Sequence, residues 1–247
     1  MNHMKKAWAI CVFVLATLLH TGCSNDNSQD PLDPPSGLEK LYADAVTDAI
    51  TADSSEICDS LWSINTTNSK LEWKTIKNEK YVLVGSYNKY PDSYSDTSVI
   101  NSWGIIWIFI PEQYISRMNS THIANNDTLL RMSQLLGLPP NNSNKYIVEL
   151  WVRPADLFRP SADPEIDDNK AGLYLPANAD PDYSQWFNQN IYDSYFGPWT
   201  HHPWTRLGYT YDWANPASEV GVSEYCIKTN SVLFVKKLCL ATKYLTK

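Results

Sequence analysis

Residues 198–213, PWTHHPWTRLGYTYDW, and the short run 221–225, GVSEY, decide how this chain is read. From Leu207 to Trp213 the side chains alternate with the period of two that belongs to a strand. Leu207, Tyr209, Tyr211 and Trp213 share one face, and Arg206, Gly208, Thr210 and Asp212 share the other. Residues 222–227 alternate again and set Glu224 between Val222 and Cys226. The connection from Ala214 to Gly221 has the length that joins antiparallel neighbours. Arg206 and Glu224 are therefore expected on adjacent strands, facing the same side.

Working outward, Tyr146–Arg153 is a strand with Tyr146, Val148, Leu150 and Val152 on one face and Glu149, Trp151 and Arg153 on the other. Trp103–Ile110 is apolar on both faces apart from Gly104, as a covered central strand is. Leu71–Thr75 and Tyr81–Tyr87 read as strands joined through Lys77–Lys80, and Val232–Leu240 as the last strand. Apolar spacing predicts helices over about 37–51, 127–136 and 183–196. The first begins at a Ser36–Glu39 capping box, and the second is ended by Gly137 before Pro139-Pro140. Strands mixed with isolated helices give an α+β fold, a largely antiparallel sheet with two or three packed helices, as a single domain over 37–247.

The N-terminus is set apart from that domain. Lys5 and Lys6 precede an apolar run, Ala7–Leu19, too short to span a bilayer as a helix. Thr21-Gly22-Cys23 follows, so residues 1–22 read as a lipoprotein signal peptide with Cys23 lipidated. His20 stands where Leu is usual, which keeps ordinary signal cleavage and an uncleaved anchor open as alternatives. Residues 23–36 are polar and proline-rich and read as a flexible tether. The expected setting is the bacterial cell envelope, with the membrane as partner through the lipid. Ser24, rather than Asp, after the cysteine favours the outer membrane.

The chain carries a net charge of −7, and loss of Lys5 and Lys6 with the signal takes it to −9. An acidic surface repels phosphate backbones, so nucleic acid is not an expected partner. Cys58, Cys226 and Cys239 remain once Cys11 and Cys23 are assigned to the N-terminal segment. An oxidising envelope permits one disulfide, but a hairpin turning at Thr229-Asn230 would not set Cys226 opposite Cys239. Buried free thiols are the plainer reading.

No phosphate loop, nucleophile elbow or His-Glu-x-x-His motif is present, and no cofactor is implied. The acidic run 163–168 lacks the order of a calcium loop and reads as a solvated loop rather than a metal site. What remains is a polar strand face, with Glu224, Arg206 and Arg153, and a proline-stiffened loop with His201 and His202. Adjacent histidines in extended chain point apart, so they do not make a joint metal site. Each of these features also has a structural reading: a solvated face, an ion pair, or a rigid turn.

The block Glu149–Pro160, with Asp163–Ile166, Pro203–Trp213 and Gly221–Tyr225, resembles an uncharacterised family of bacterial lipoproteins and secreted proteins. The run from Glu224 to Val235 looks like the closing strands of ADP-ribosyltransferase-like secreted toxin domains, which implies a catalytic role for Glu224. The Ser-Thr-Ser segment and paired Glu-x-Glu of many such enzymes are absent.

Two functional readings follow. One is an enzyme, ADP-ribosyltransferase-like or a hydrolase, with Arg153 and Arg206 holding an anionic group and Glu224 and His202 moving protons. The other is a binding module in which Trp199, Trp204 and Tyr195 stack on a carbohydrate or a protein partner, with Asp212 adding a polar contact.

Overall fold

The computed structural model describes residues 36–120 and 127–245. The signal peptide, Cys23 and the tether up to residue 35 lie outside the described residues. The fold is α+β, with four helices and a nine-stranded antiparallel sheet.

The strands are β1 (Trp73–Ile76), β2 (Glu79–Asn88), β3 (Ser98–Ile100), β4 (Ile106–Phe109), β5 (Tyr146–Val152), β6 (Leu157–Phe158), β7 (Tyr209–Tyr211), β8 (Val220–Ile227) and β9 (Val232–Leu240). The helices are α1 (Gly37–Asp48), α2 (Pro111–Ser120), α3 (Thr128–Leu135) and α4 (Pro181–Tyr195). The sheet order is β3-β9-β5-β2-β4-β8-β6, with β1 also on β2 and β7 also on β8. Between β1 and β2, Lys77 and Asn78 both take positive φ, the signature of a two-residue hairpin turn that matches strand twist.

Local chemistry explains the helix ends. Ser36 and Glu39 form the expected reciprocal capping box on α1. Asp127 caps α3 through Leu130 N, and Asp180 caps α4 through Tyr183 N ahead of Pro181. Gly137, at φ +65°, turns the chain away after α3.

The sheet is covered on both faces. Val82, Val84, Ile108, Val148, Leu150 and Tyr225 lie in one core with Ile64 and Leu71 from the segment before β1. Tyr87, Phe109, Ile147 and Val222 face the other way, onto Tyr114 and Met118 of α2 and Met132 and Leu135 of α3. Phe109 and Tyr114 stack at 4.3 Å between centroids. Each such large side chain contributes about 1.5–3 kcal/mol by leaving water. Helix α1 lays Tyr42, Ala45 and Val46 against Tyr195 and Trp213.

Strands β8 and β9 do not pair, which corrects the expected hairpin at Thr229-Asn230. Only residues 228–231 join them, although three strands lie between them in the sheet. That link reaches at most about 18 Å, whereas four flat inter-strand steps alone need about 19 Å. The sheet therefore coils to bring its arms together. Asn101, fully buried, fastens the corner: its Nδ2 donates to Lys228 O at 3.0 Å, and its Oδ1 accepts from Ser231 N at 2.7 Å. Cys58, Cys226 and Cys239 are all free thiols.

Candidate functional site

A cavity of about 530 Å³ opens between β2, β4, β8, the C-terminal part of α4 and the loop 199–204. That size lies within the roughly 300–1,000 Å³ of small-molecule sites. Trp103, Trp107, Trp199 and Tyr90 stand around it, and all four are strongly exposed, Trp199 at 69%. They are four of the seven strongly exposed aromatic side chains among the described residues, so the cavity gathers an unusual share of the aromatic surface. Trp204 forms part of the wall but is itself buried. Its Nε1 donates to Pro160 O at 3.1 Å, and its ring meets that of Trp107 edge-on at 6.0 Å.

Eight buried side-chain polar atoms among the described residues have no hydrogen-bond partner, and three of them, Asn88 Nδ2, Asn190 Nδ2 and Glu224 Oε2, belong to residues that line this cavity. Asn88 Oδ1 already accepts from Tyr90 N at 3.0 Å, which leaves its amide N–H as the free end. Orphaned buried polar groups cost on the order of 1–3 kcal/mol each.

Glu224 stands on β8 opposite Phe109 of β4, on the face shared with Val222, as the alternation predicted. Its backbone N–H donates to Gly208 O at 2.9 Å. No counter-charge relieves the burial of its carboxyl, and burial pushes its pKa well above the carboxylate range.

His202 lines the same cavity. Its Nδ1 lies 3.2 Å from Tyr42 Oη, and that hydroxyl donates its single proton over 2.9 Å to His201 O. Tyr42 therefore accepts from Nδ1–H, and Nε2 is the unprotonated nitrogen. Burial, with the neighbouring His201, lowers the His202 pKa from its ordinary value. His201 turns elsewhere, its Nε2 lying 2.9 Å from Gly197 O, in accord with two adjacent histidines pointing apart.

The remaining candidates are spread out. Arg206 does not open a strand beside Glu224: its φ is +62°, and β7 begins only at Tyr209. Its guanidinium donates to Ala49 O and Ile50 O at 2.9 Å each, satisfying the open C-terminus of α1, and packs over Tyr195. No ion pair joins Arg206 to Glu224 among the described residues. Arg153 is spent on Asp156 at 2.8 Å and Glu79 at 3.7 Å, outside the cavity. Tyr195 is buried and donates its hydroxyl to Trp204 O, so it braces the wall from behind.

Asp212 faces Arg131 in a buried bidentate pair and lines a different cleft, beside α1. No space lies above Gly208, because a Cβ there would stand 2.7 Å from Arg159 Cδ. Buried Arg159 also holds the acidic loop, through Asp168 Oδ1 at 2.5 Å and Lys170 O at 2.7 Å.

Sequence reading thus located Glu224, His202, Trp199 and Trp204, which the fold brings to one cavity, and missed Asn88, Trp103, Trp107 and Asn190. The exposed tryptophans carried a signal in their abundance, ten in the chain. The two asparagines carried none.

No protein-family model matches the chain, and no curated protein or solved structure matches it either.

Proposed function

We propose that this cavity binds an uncharged, polyhydroxylated ring, a carbohydrate. The observation that supports it is the gathering of exposed aromatic rings with uncharged polar side chains, Asn88, Asn144, Asn190 and Thr200 among them, round one cavity. Aromatic faces take the apolar C–H face of a sugar ring, and amide and hydroxyl side chains of the lining match its hydroxyls. No arginine or lysine lines the cavity, so it offers no fixed cation to a phosphate. A pyrophosphate-bearing ADP-ribosyl donor calls for such cations, which is why the uncharged ligand is preferred.

From the charge pattern and cysteine of residues 5–23 we further propose that the domain is carried at the cell envelope on a lipid at Cys23. Among the described residues no helix is long and apolar enough to cross a membrane. Cys23→Ser should release the chain from the membrane fraction; a variant that stays there at its mature size removes the lipid assignment.

The binding reading is tested by calorimetric titration of the purified chain against a panel of neutral mono- and oligosaccharides. At least one should bind, and Trp107→Ala and Trp199→Ala should each weaken it by about tenfold or more, the worth of one stacked ring. Absence of binding across the panel at millimolar sugar overturns it.

A further inference from the structure

Resting on the carbohydrate reading, we infer that the cavity also cleaves the sugar it holds: Glu224 gives a proton to the leaving oxygen of a glycosidic bond, and His202 Nε2 takes one from the attacking water. The step is a hydrolysis. The water oxygen bonds to the anomeric carbon, the bond from that carbon to the leaving oxygen breaks, and the proton from Glu224 completes the departing alcohol. Imidazolium and carboxylate then exchange one proton through solvent and return to their starting forms. No other reactant is consumed.

The cavity brings a carboxyl group and an imidazole, Glu224 and His202, to one lining. Glu224 has no cationic neighbour to draw off its proton, and His202 has Nδ1–H fixed by Tyr42, leaving Nε2 to accept. Burial moves their titrations in opposite directions, up for the carboxyl and down for the imidazole. Two titratable groups driven apart in this way divide the roles of acid and base. The other titratable side chains on the wall are Asp193, Tyr87, Tyr90, Tyr94 and Tyr211. Tyr195 and Cys226 lie within electrostatic reach of Glu224, and Tyr42 and His201 adjoin His202. Among these groups only a histidine can carry a positive charge, so none of them is a fixed cation set against Glu224. An aromatic-walled cavity with no cation suits the positive charge that builds on the sugar as the bond breaks.

The test uses the purified full chain, a panel of methylumbelliferyl and 2,4-dinitrophenyl glycosides of neutral sugars, and aryl acetates as the control ester. At least one glycoside should be cleaved, with kcat/KM bell-shaped in pH: an acid limb below the ordinary histidine value and an alkaline limb above the ordinary carboxylate value. Glu224→Gln should lose about 10²–10⁴-fold on methylumbelliferyl glycosides. It should lose far less on dinitrophenyl glycosides, whose leaving group needs no proton, and that retained activity shows the variant to be folded. His202→Gln should lose activity on both. Sugar binding without cleavage of any glycoside overturns this inference and leaves the binding reading standing, and no binding overturns both. Cleavage of aryl acetates alone, or a Glu224→Gln loss equal on both leaving groups, also overturns it.

Discussion

The guanidinium of Arg131 and the carboxylate of Asp212 meet in a two-pronged pair, 2.8 and 2.6 Å, in a place closed to water. It links α3 to the end of β7, one wall away from the cavity. Removing one charge leaves the other buried and alone. Asp212→Ala should cost about 3–5 kcal/mol, measured by urea unfolding. The double variant Arg131→Met/Asp212→Leu should recover most of that loss, because no charge is then left without its partner.

Glu224→Gln should stabilise the protein as pH rises. The folded pKa lies above the unfolded one, so the carboxyl's contribution is complete below about pH 4.3 and is lost as pH climbs towards the folded value. Wild type and variant should therefore melt at similar temperatures near pH 4. The variant should melt higher at pH 8, with the gap opening between. A wild type that gains on the variant with rising pH would show an ion-paired carboxylate instead.

Tyr42→Phe removes the hydroxyl that joins α1 to the His201–His202 loop. The loss in stability should be about 0.5–1.5 kcal/mol. The informative readout is the nitrogen NMR spectrum of His202: in wild type at pH 8 the proton should sit on Nδ1, and in the variant the two tautomers should mix. An unchanged spectrum would mean that Tyr42 does not set the tautomer.

Gly208→Ala is expected to cost on the order of 2–4 kcal/mol, combining an unfavourable positive φ with a clash into the stem of Arg159. Thermal unfolding of this variant beside Gly172→Ala, where nothing lies within 4 Å of a Cβ, separates strain from a generic effect of replacing glycine.

The longer elements were legible because their runs extend over several residues. Tyr146–Val152 and Val232–Leu240 are seven and nine residues rich in branched and aromatic side chains, and Ser36 with Glu39 marks a helix start in four letters. Strands β3 and β6, three and two residues long, have no room for a period. Helix α2 buries only Pro111, Tyr114 and Met118, too sparse a stripe to stand out after the apolar run that precedes it. Arg206 was misplaced because Arg206 and Gly208 leave extended backbone, so the apparent alternation from Leu207 spans a bend. Glu224 could be picked out as an acid between apolar strand neighbours. Asn88, Trp107 and Asn190 come from three elements far apart in sequence, and only the folded sheet brings them together.

The coiled sheet also fixes when the domain can be finished. Strand β9 lies between β3 and β5 and is the strand with which β3 pairs. Until Val232–Leu240 is in place, β5 presents an unpaired edge from Tyr146 to Val152, nearly all of it apolar and buried in the finished fold. A chain stopped at Ser231 would keep the side chains of the cavity yet carry a bare, sticky strand, the kind of edge through which proteins assemble into aggregates. Strand β9, which lends no side chain to the cavity lining, thus decides whether the chain stays a separate molecule long enough to use it.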